Sequence, residues 1–256
     1  MIKKLAVIGL QKLDLLSAIS MRLVQLTGKH RERIHPKHLI KSKIWYSSYL
    51  KKDDRVLDLG CGYAGTLIKV ARQVKEAIGC DIDQNSLKAS IEIANSKKIS
   101  NLKFMTADAN KKLPFKNGYF DKVICSDVLE HLNHRNFALL EIKRVLKKNG
   151  LLFLVTDNPN TSWKKLLKKN GLFFYADHDH KYEYPIDEII SKLEAMNFEI
   201  KSISSVTYDT PLKGFIDLTG GISLTVYKYL SKWKQKMLKK YPQDTAGYKI
   251  VAQISK

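Results

Sequence analysis

The stretch Val56-Leu57-Asp58-Leu59-Gly60-Cys61-Gly62-Tyr63-Ala64-Gly65 constrains the fold more than any other part of the chain. A short apolar run carries one acidic residue and then turns on glycines. Glycine lets the backbone leave a strand sharply and approach a ligand closely, with a helix N-terminus just beyond. Such a turn belongs to an alternating α/β chain that binds its ligand over the carboxyl ends of parallel strands. The spacing Gly60-x-Gly62-x-x-Gly65 satisfies the dinucleotide fingerprint, and Asp81 and Asp83 supply the acidic residue expected about 20 positions later. A nicotinamide or flavin enzyme and an S-adenosylmethionine (SAM) enzyme both fit this much. Each binds adenosine and sets a carboxylate on the ribose hydroxyls.

Three further features separate these readings. Asp58 lies two residues before the first glycine, where it suits an ammonium group and would repel a pyrophosphate. A second acidic site, Asp108, follows the apolar stretch Leu102–Thr106 and suits an adenine amino group. The third is the block Phe120-Asp121-Lys122-Val123-Ile124-Cys125-Ser126-Asp127-Val128-Leu129-Glu130-His131. It is followed by Glu141–Gly150 ahead of another apolar strand. In order and spacing these blocks resemble the class I SAM-dependent methyltransferases, most closely the broad group that includes quinone-biosynthesis methyltransferases. The resemblance covers about residues 53–200.

That resemblance implies an α/β, Rossmann-like, seven-stranded and mostly parallel sheet with helices on both faces, its last strand antiparallel. It implies SAM as cofactor. Asp58, Gly60 and Gly62 would hold the methionine portion, and Asp81 the ribose hydroxyls, with Ile82 beside it among the cofactor residues. Asp108 and Ala109 would face the adenine. Ser126 and Asp127 would stand where the methyl group meets its acceptor. For Asp58 a second reading stays open, in which it only fixes the glycine turn through backbone hydrogen bonds.

Methyl transfer from a sulfonium needs alignment and exclusion of water more than it needs a reacting side chain. A base is required only where the acceptor must lose a proton. His131, with Asp127 and Glu130 beside it, is the candidate base; capping the next helix or packing on the cofactor loop is its alternative role. Asp177-His178-Asp179-His180 is dense in ligand types but has no H-x-x-x-H or cysteine partner. It reads as a loop or as lining of the acceptor pocket, and no metal is expected.

Strands are expected near residues 55–59, 77–82, 102–106, 121–126, 150–156, 198–206 and 248–254. Helices are expected near 3–27, 37–50, 64–73, 85–96, 135–147 and 185–196, with an irregular aromatic insertion over 157–184. Residues 1–52 form a helical cap segment and 53–256 the methyltransferase domain, with a basic amphipathic helical insertion at 209–245. In that insertion Ile222, Val226, Tyr229, Leu230, Trp233 and Met237 recur at helical spacing among lysines.

Cys61, Cys80 and Cys125 have neither metal-ligand spacing nor a disulfide pattern, which points to a reducing interior. Cys61 reads as a small buried residue. The N-terminal apolar run breaks at Gln11-Lys12 and Asp14, and no stretch of about 18 uninterrupted apolar residues occurs. The expectation is a mature, cytoplasmic protein. Charge is uneven: residues 1–52 carry +10, residues 211–256 carry +7, and the middle only +3 of a net +20. These basic flanks fit a lid over the acceptor, a peripheral membrane contact serving a lipid-like acceptor, or an RNA contact. Lysine outnumbers arginine 38 to 7, which weakens the two binding readings.

The expected function is methyl transfer to a small-molecule or lipid-like acceptor. An RNA methyltransferase ranks second, although no amino-methylating Asn-Pro-Pro-Tyr motif follows the fourth strand. A non-catalytic SAM-binding partner protein ranks third. The dehydrogenase reading leaves Asp108 and the Ser126–His131 block without a role. Neither the acceptor nor the oligomeric state is legible in the sequence.

Overall fold

The computed structural model describes residues 2–31, 33–40 and 43–255. In chain order the helices and strands are α1 (Ile2–Lys12), α2 (Leu15–Leu26), β1 (Arg55–Leu59), α3 (Leu67–Ala71), β2 (Glu76–Asp81), α4 (Gln84–Ser96), β3 (Leu102–Thr106), β4 (Phe120–Ser126), α5 (Arg135–Val145) and β5 (Leu146–Asp157). There follow α6 (Ser162–Lys169), α7 (Ile186–Ala195), β6 (Phe198–Ser205), α8 (Lys213–Ile222), α9 (Leu224–Lys240) and β7 (Gly247–Ile254). Contacts divide the chain into two compact units. One comprises residues 1–42, 158–176 and 205–246, the other residues 43–157, 177–204 and 247–256.

The second unit carries the sheet, in the order β3-β2-β1-β4-β5-β7-β6. β1 is parallel to β2 and β4, with Leu57 opposite Ile78 and Val123, while β7 runs antiparallel to β5. The strand order reverses between β1 and β4, which opens a crevice at their carboxyl ends. Both faces are covered, so the central strands are apolar almost throughout. Leu57, Leu59, Val123, Cys125, Leu152 and Leu154 pack against Leu139 and Ile142 of α5 and Ile189 and Leu193 of α7. On the opposite face Val56, Ile124, Phe153 and Val251 pack against Leu67, Ile68 and Val70 of α3 and Ala94 of α4.

Tyr46 closes the second face. Its ring lies flat on Phe153, with centroids 4.5 Å apart and planes 8° apart, and Trp45 meets Phe153 edge-on at 5.9 Å. Burying a residue such as Phe153 stabilises the fold by about 2–3 kcal/mol, and the stack anchors the segment leading into β1. This segment is not the expected helix over 37–50. Short 3-10 turns at Pro36–Leu39 and Ser47–Tyr49 occupy it instead, and residues 41 and 42 lie outside the described residues.

In the first unit the helix expected over 3–27 is two helices. The chain turns at Leu13-Asp14, where backbone N–H groups reach three residues back rather than four (Leu13 to Leu10 and Asp14 to Gln11). Gly214 of α8 explains the break. A Cβ on it would sit 1.9 Å from the Leu13 carbonyl oxygen, so the two backbones touch where no side chain fits. A polar cluster joins α2, α8 and the segment between: Ser17 Oγ donates to Asp217 at 2.7 Å, and His35 Nε2 lies 3.0 Å from the same carboxylate oxygen. The insertion expected to be irregular over 157–184 contains α6, whose first turn is capped by Thr161 accepting from the Lys164 N–H. Among the described residues no helix is long and apolar enough to cross a membrane.

Candidate functional site

The turn after β1 is pinned to the end of β2. The N–H groups of Gly60 and Cys61 both donate to the Cys80 carbonyl, at 2.7 and 3.0 Å. Gly60 and Gly62 have φ of +74° and +48°, the left-handed region where glycine is unstrained. At Gly60 space is closed as well: a Cβ there would lie 2.3 Å from Cγ2 of Val128, in the segment that follows β4. The turn between β1 and α3 therefore touches the loop beyond β4, and the two sides of the crevice are in contact through a glycine.

Asp81, the last residue of β2, ties this turn to the next one. Its Oδ2 accepts from the Gly62 N–H at 2.7 Å and its Oδ1 from the Asp83 N–H at 2.9 Å. Asp83, the other acidic residue at fingerprint spacing, is taken up as the N-cap of α4, accepting from the N–H groups of Asn85 and Ser86. Ile82 between them is 67% exposed, an apolar side chain left facing solvent beside the crevice.

Asp58 is buried, and burial, with the Asp81 charge adding to it, pushes its carboxyl up to about 7. Tyr46 is buried nearby, and its hydroxyl has no hydrogen-bond partner. Burial, and then the charge of Asp58, raise its pKa. The sequence offers no motif that points to Tyr46; only its packing on the sheet brings it there. Cys61 is held as a thiol, its pKa raised by burial, as fits a small packed residue.

Asp108 closes the loop after β3. Its Oδ1 accepts from the backbone N–H and the side-chain amide of Asn110, at 2.8 and 3.1 Å, and the first of these bonds leads in holding it below the usual carboxylate range. Asn110 in turn accepts from the N–H groups of Asn133 and His134, joining this loop to the segment before α5. Ala109 is buried in the core beneath. Ser126 ends β4 opposite Val155, and Asp127 after it is exposed with φ of +56°.

His131 is exposed and meets the buried ring of His180 edge-on, with centroids 4.6 Å apart. The Glu130 carbonyl accepts from the N–H groups of Lys181 and Tyr182, which fixes the Asp177–His180 loop to the end of β4. An open cavity of about 630 Å³ lies further along, lined by Arg135, Tyr182, Tyr184, Glu188 and Lys192 among others. None of the candidate cofactor residues lines it. Thus Asp58, Gly60, Gly62 and Asp81 gather around one turn, whereas His131 belongs to a histidine and carboxylate cluster beyond β4.

The family described as a methyltransferase domain matches residues 50–163. An uncharacterized methyltransferase of Bacillus subtilis (strain 168), YcgJ, is 31% identical over 105 residues, which is 41% of each chain. The crystal structure of the YcgJ protein superposes with a TM-score of 0.57 at 21% identity, covering 81% of this chain and 94% of that one. The demethylmenaquinone methyltransferase of Staphylococcus carnosus (strain TM300) is 33% identical over 123 residues, 46% of this chain and 50% of that protein. A SAM-dependent methyltransferase from Aquifex aeolicus shares the fold with a TM-score of 0.52 at 15% identity, covering 80% and 85%. The chain matches half or less of the length of these curated relatives.

Proposed function

We propose that the protein transfers the methyl group of SAM to a small-molecule or lipid-like acceptor by direct displacement, a reading supported by the match of residues 50–163 to a methyltransferase domain. The observation that carries the reading is Asp81. It stands at the end of β2 with both carboxylate oxygens tied to backbone N–H groups, one of them in the glycine turn itself. A carboxylate fixed in that place is ready to accept the two hydroxyls of a ribose. Gly60 and Gly62 leave the turn free of side chains for the methionine portion. Asp58 faces its ammonium group, and the unpartnered Tyr46 hydroxyl offers a further donor. Ile82 covers one side of the adenine, with Asp108 and Ala109 at its edge. Ser126 stands where the methyl group emerges.

In this reading the protein's contribution is alignment, worth roughly 7–11 kcal/mol in well-positioned systems. His131 serves as base only for an acceptor that must lose a proton. Lipid-like acceptors draw support from the first unit. Leu15, Ile19, Leu26, Phe215, Ile222 and Tyr229 are all exposed there, and α9, which carries Tyr229, is rich in lysine. Such a helix suits peripheral contact with an anionic membrane surface.

Incubation with SAM carrying a tritiated methyl group, in the presence of a lipid extract, a polar metabolite extract and total RNA, tests the acceptor class. Label is expected in the lipid or metabolite fraction. Label recovered only in RNA would overturn the reading in favour of an RNA methyltransferase.

A further inference from the structure

Three side chains from separate segments converge beyond the sheet: Glu130 after β4, Asp157 at the end of β5, and His180 in the loop before α7. One ligand-capable atom of each lies within 4.8 Å of the others. Glu130 is fully buried, and neither of its carboxyl oxygens has a hydrogen-bond partner. A buried carboxyl without partners costs free energy in either protonation state. The two unpartnered oxygens of Glu130 point to what is missing.

His180 is held within the cluster through one ring nitrogen. Its Nδ1 lies 2.9 Å from a carboxylate oxygen of the buried Glu183 and 3.7 Å from Asp157 Oδ2. A carboxylate that holds one ring nitrogen of a histidine fixes its tautomer and orientation, as metal-binding histidines require. Two carboxylates and one imidazole form a donor set for a divalent transition metal such as Mn²⁺ or Zn²⁺. With metal–ligand bonds of about 2.1 Å, ligand atoms stand roughly 3–4 Å apart, so the observed spacing closes with small side-chain shifts. The backbone bonds from Lys181 and Tyr182 to the Glu130 carbonyl hold the two halves of the cluster together.

We propose that Glu130, Asp157 and His180 form a divalent cation site, with Glu183 orienting His180 and His131 packed against it. The proposal is independent of the cofactor. Sequence spacing hides the site, because its ligands come from three segments that only the fold assembles.

The test is titration of the chelator-treated full chain with Mn²⁺, followed by electron paramagnetic resonance, with Zn²⁺ as competitor. One bound Mn²⁺ per chain is expected, displaced by Zn²⁺ and weakened at least tenfold in Glu130→Gln and in His180→Gln. Asp179→Asn, an exposed acid of the same loop outside the cluster, should bind as the parent does. Broadening of the His180 and His131 ring signals by Mn²⁺ in the unmodified protein supplies a readout that needs no variant. Absence of Mn²⁺ and Zn²⁺ binding overturns the site, as does binding that both substitutions leave unchanged or broadening that spares His180. Binding of S-adenosylhomocysteine, measured alongside without metal, separates failure of this site from failure of the methyltransferase reading.

Discussion

Replacing Gly60 by alanine should destabilise the domain more than the same change at Gly62, although the two glycines share one turn. Both have left-handed φ, which costs a residue with a Cβ about 1–2 kcal/mol. At Gly62 that is the whole effect, since nothing lies within 4 Å of the added carbon. At Gly60 the carbon would stand 2.3 Å from Val128 Cγ2. Valine is stiff at χ1, so relief requires an off-rotamer side chain or a backbone shift, adding roughly 0.5–1.5 kcal/mol. The totals are about 1.5–3.5 kcal/mol at Gly60 against about 1–2 at Gly62, so the steric term of roughly 0.5–1.5 kcal/mol separates the two. For a chain of this size each kcal/mol moves the melting midpoint by about 2–4 °C. Thermal denaturation should therefore show Gly60→Ala melting roughly 1–6 °C below Gly62→Ala. Shortening Val128 to alanine should recover part of the Gly60→Ala loss. Equal midpoints for the two variants would refute contact between the loops beyond β1 and β4.

Other outcomes follow from charges and buried groups. Asp58 titrates near 7, and in the proposed site its ionised form receives the ammonium of the ligand. S-adenosylhomocysteine should then bind about tenfold more weakly at pH 6 than at pH 8, with an Asp58→Asn variant losing the slope; a flat profile in the unmodified protein contradicts the role. Tyr46→Phe removes a buried hydroxyl that has no partner, so stability should hold or rise. Affinity for S-adenosylhomocysteine should fall about 2–10-fold, the worth of one hydrogen bond. In the first unit, burial raises the Asp217 carboxyl, but His35 and Ser17 outweigh it and hold the pKa below the usual value. A lowered pKa means that the stabilisation is complete above the unfolded value of about 4 and is lost as pH falls through the folded one. Asp217→Ala should cost about 3 kcal/mol at neutral pH in chemical denaturation, and progressively less in acid.

Strands were the most legible elements, because apolar runs buried on both faces carry their own boundaries. β1 and β3 span the expected residues 55–59 and 102–106. Helices were less so where tertiary contacts decide. The break at Leu13-Asp14 comes from the backbone of Gly214, some 200 residues away in sequence, and no local propensity announces it. Trp45 and Tyr46 fall in the helix expected over 37–50, yet they pack on Phe153 from a turn just before the 3-10 turn at Ser47–Tyr49. α6 did have a local signal, the Thr161 cap followed by Trp163, Leu166 and Leu167 at helical spacing, which the aromatic character of the segment obscured. In the candidate site, the glycine turn and Asp81 are neighbours in motif and in space. Asp81 rather than Asp83 was assigned to the ribose from the resemblance, and the structure uses Asp83 to cap α4. Glu130, Asp157 and His180 could not be grouped from sequence, since loop closures of 27 and 23 residues separate them.

The most direct measurement of the central claim is calorimetric titration of the purified chain with S-adenosylhomocysteine, with NADH and the Asp81→Ala variant alongside. Micromolar binding of S-adenosylhomocysteine is expected, absent for NADH and lost in the variant while its fold is retained. A folded protein that binds NADH and not S-adenosylhomocysteine, or one whose affinity ignores Asp81, would contradict the assignment of the crevice to SAM.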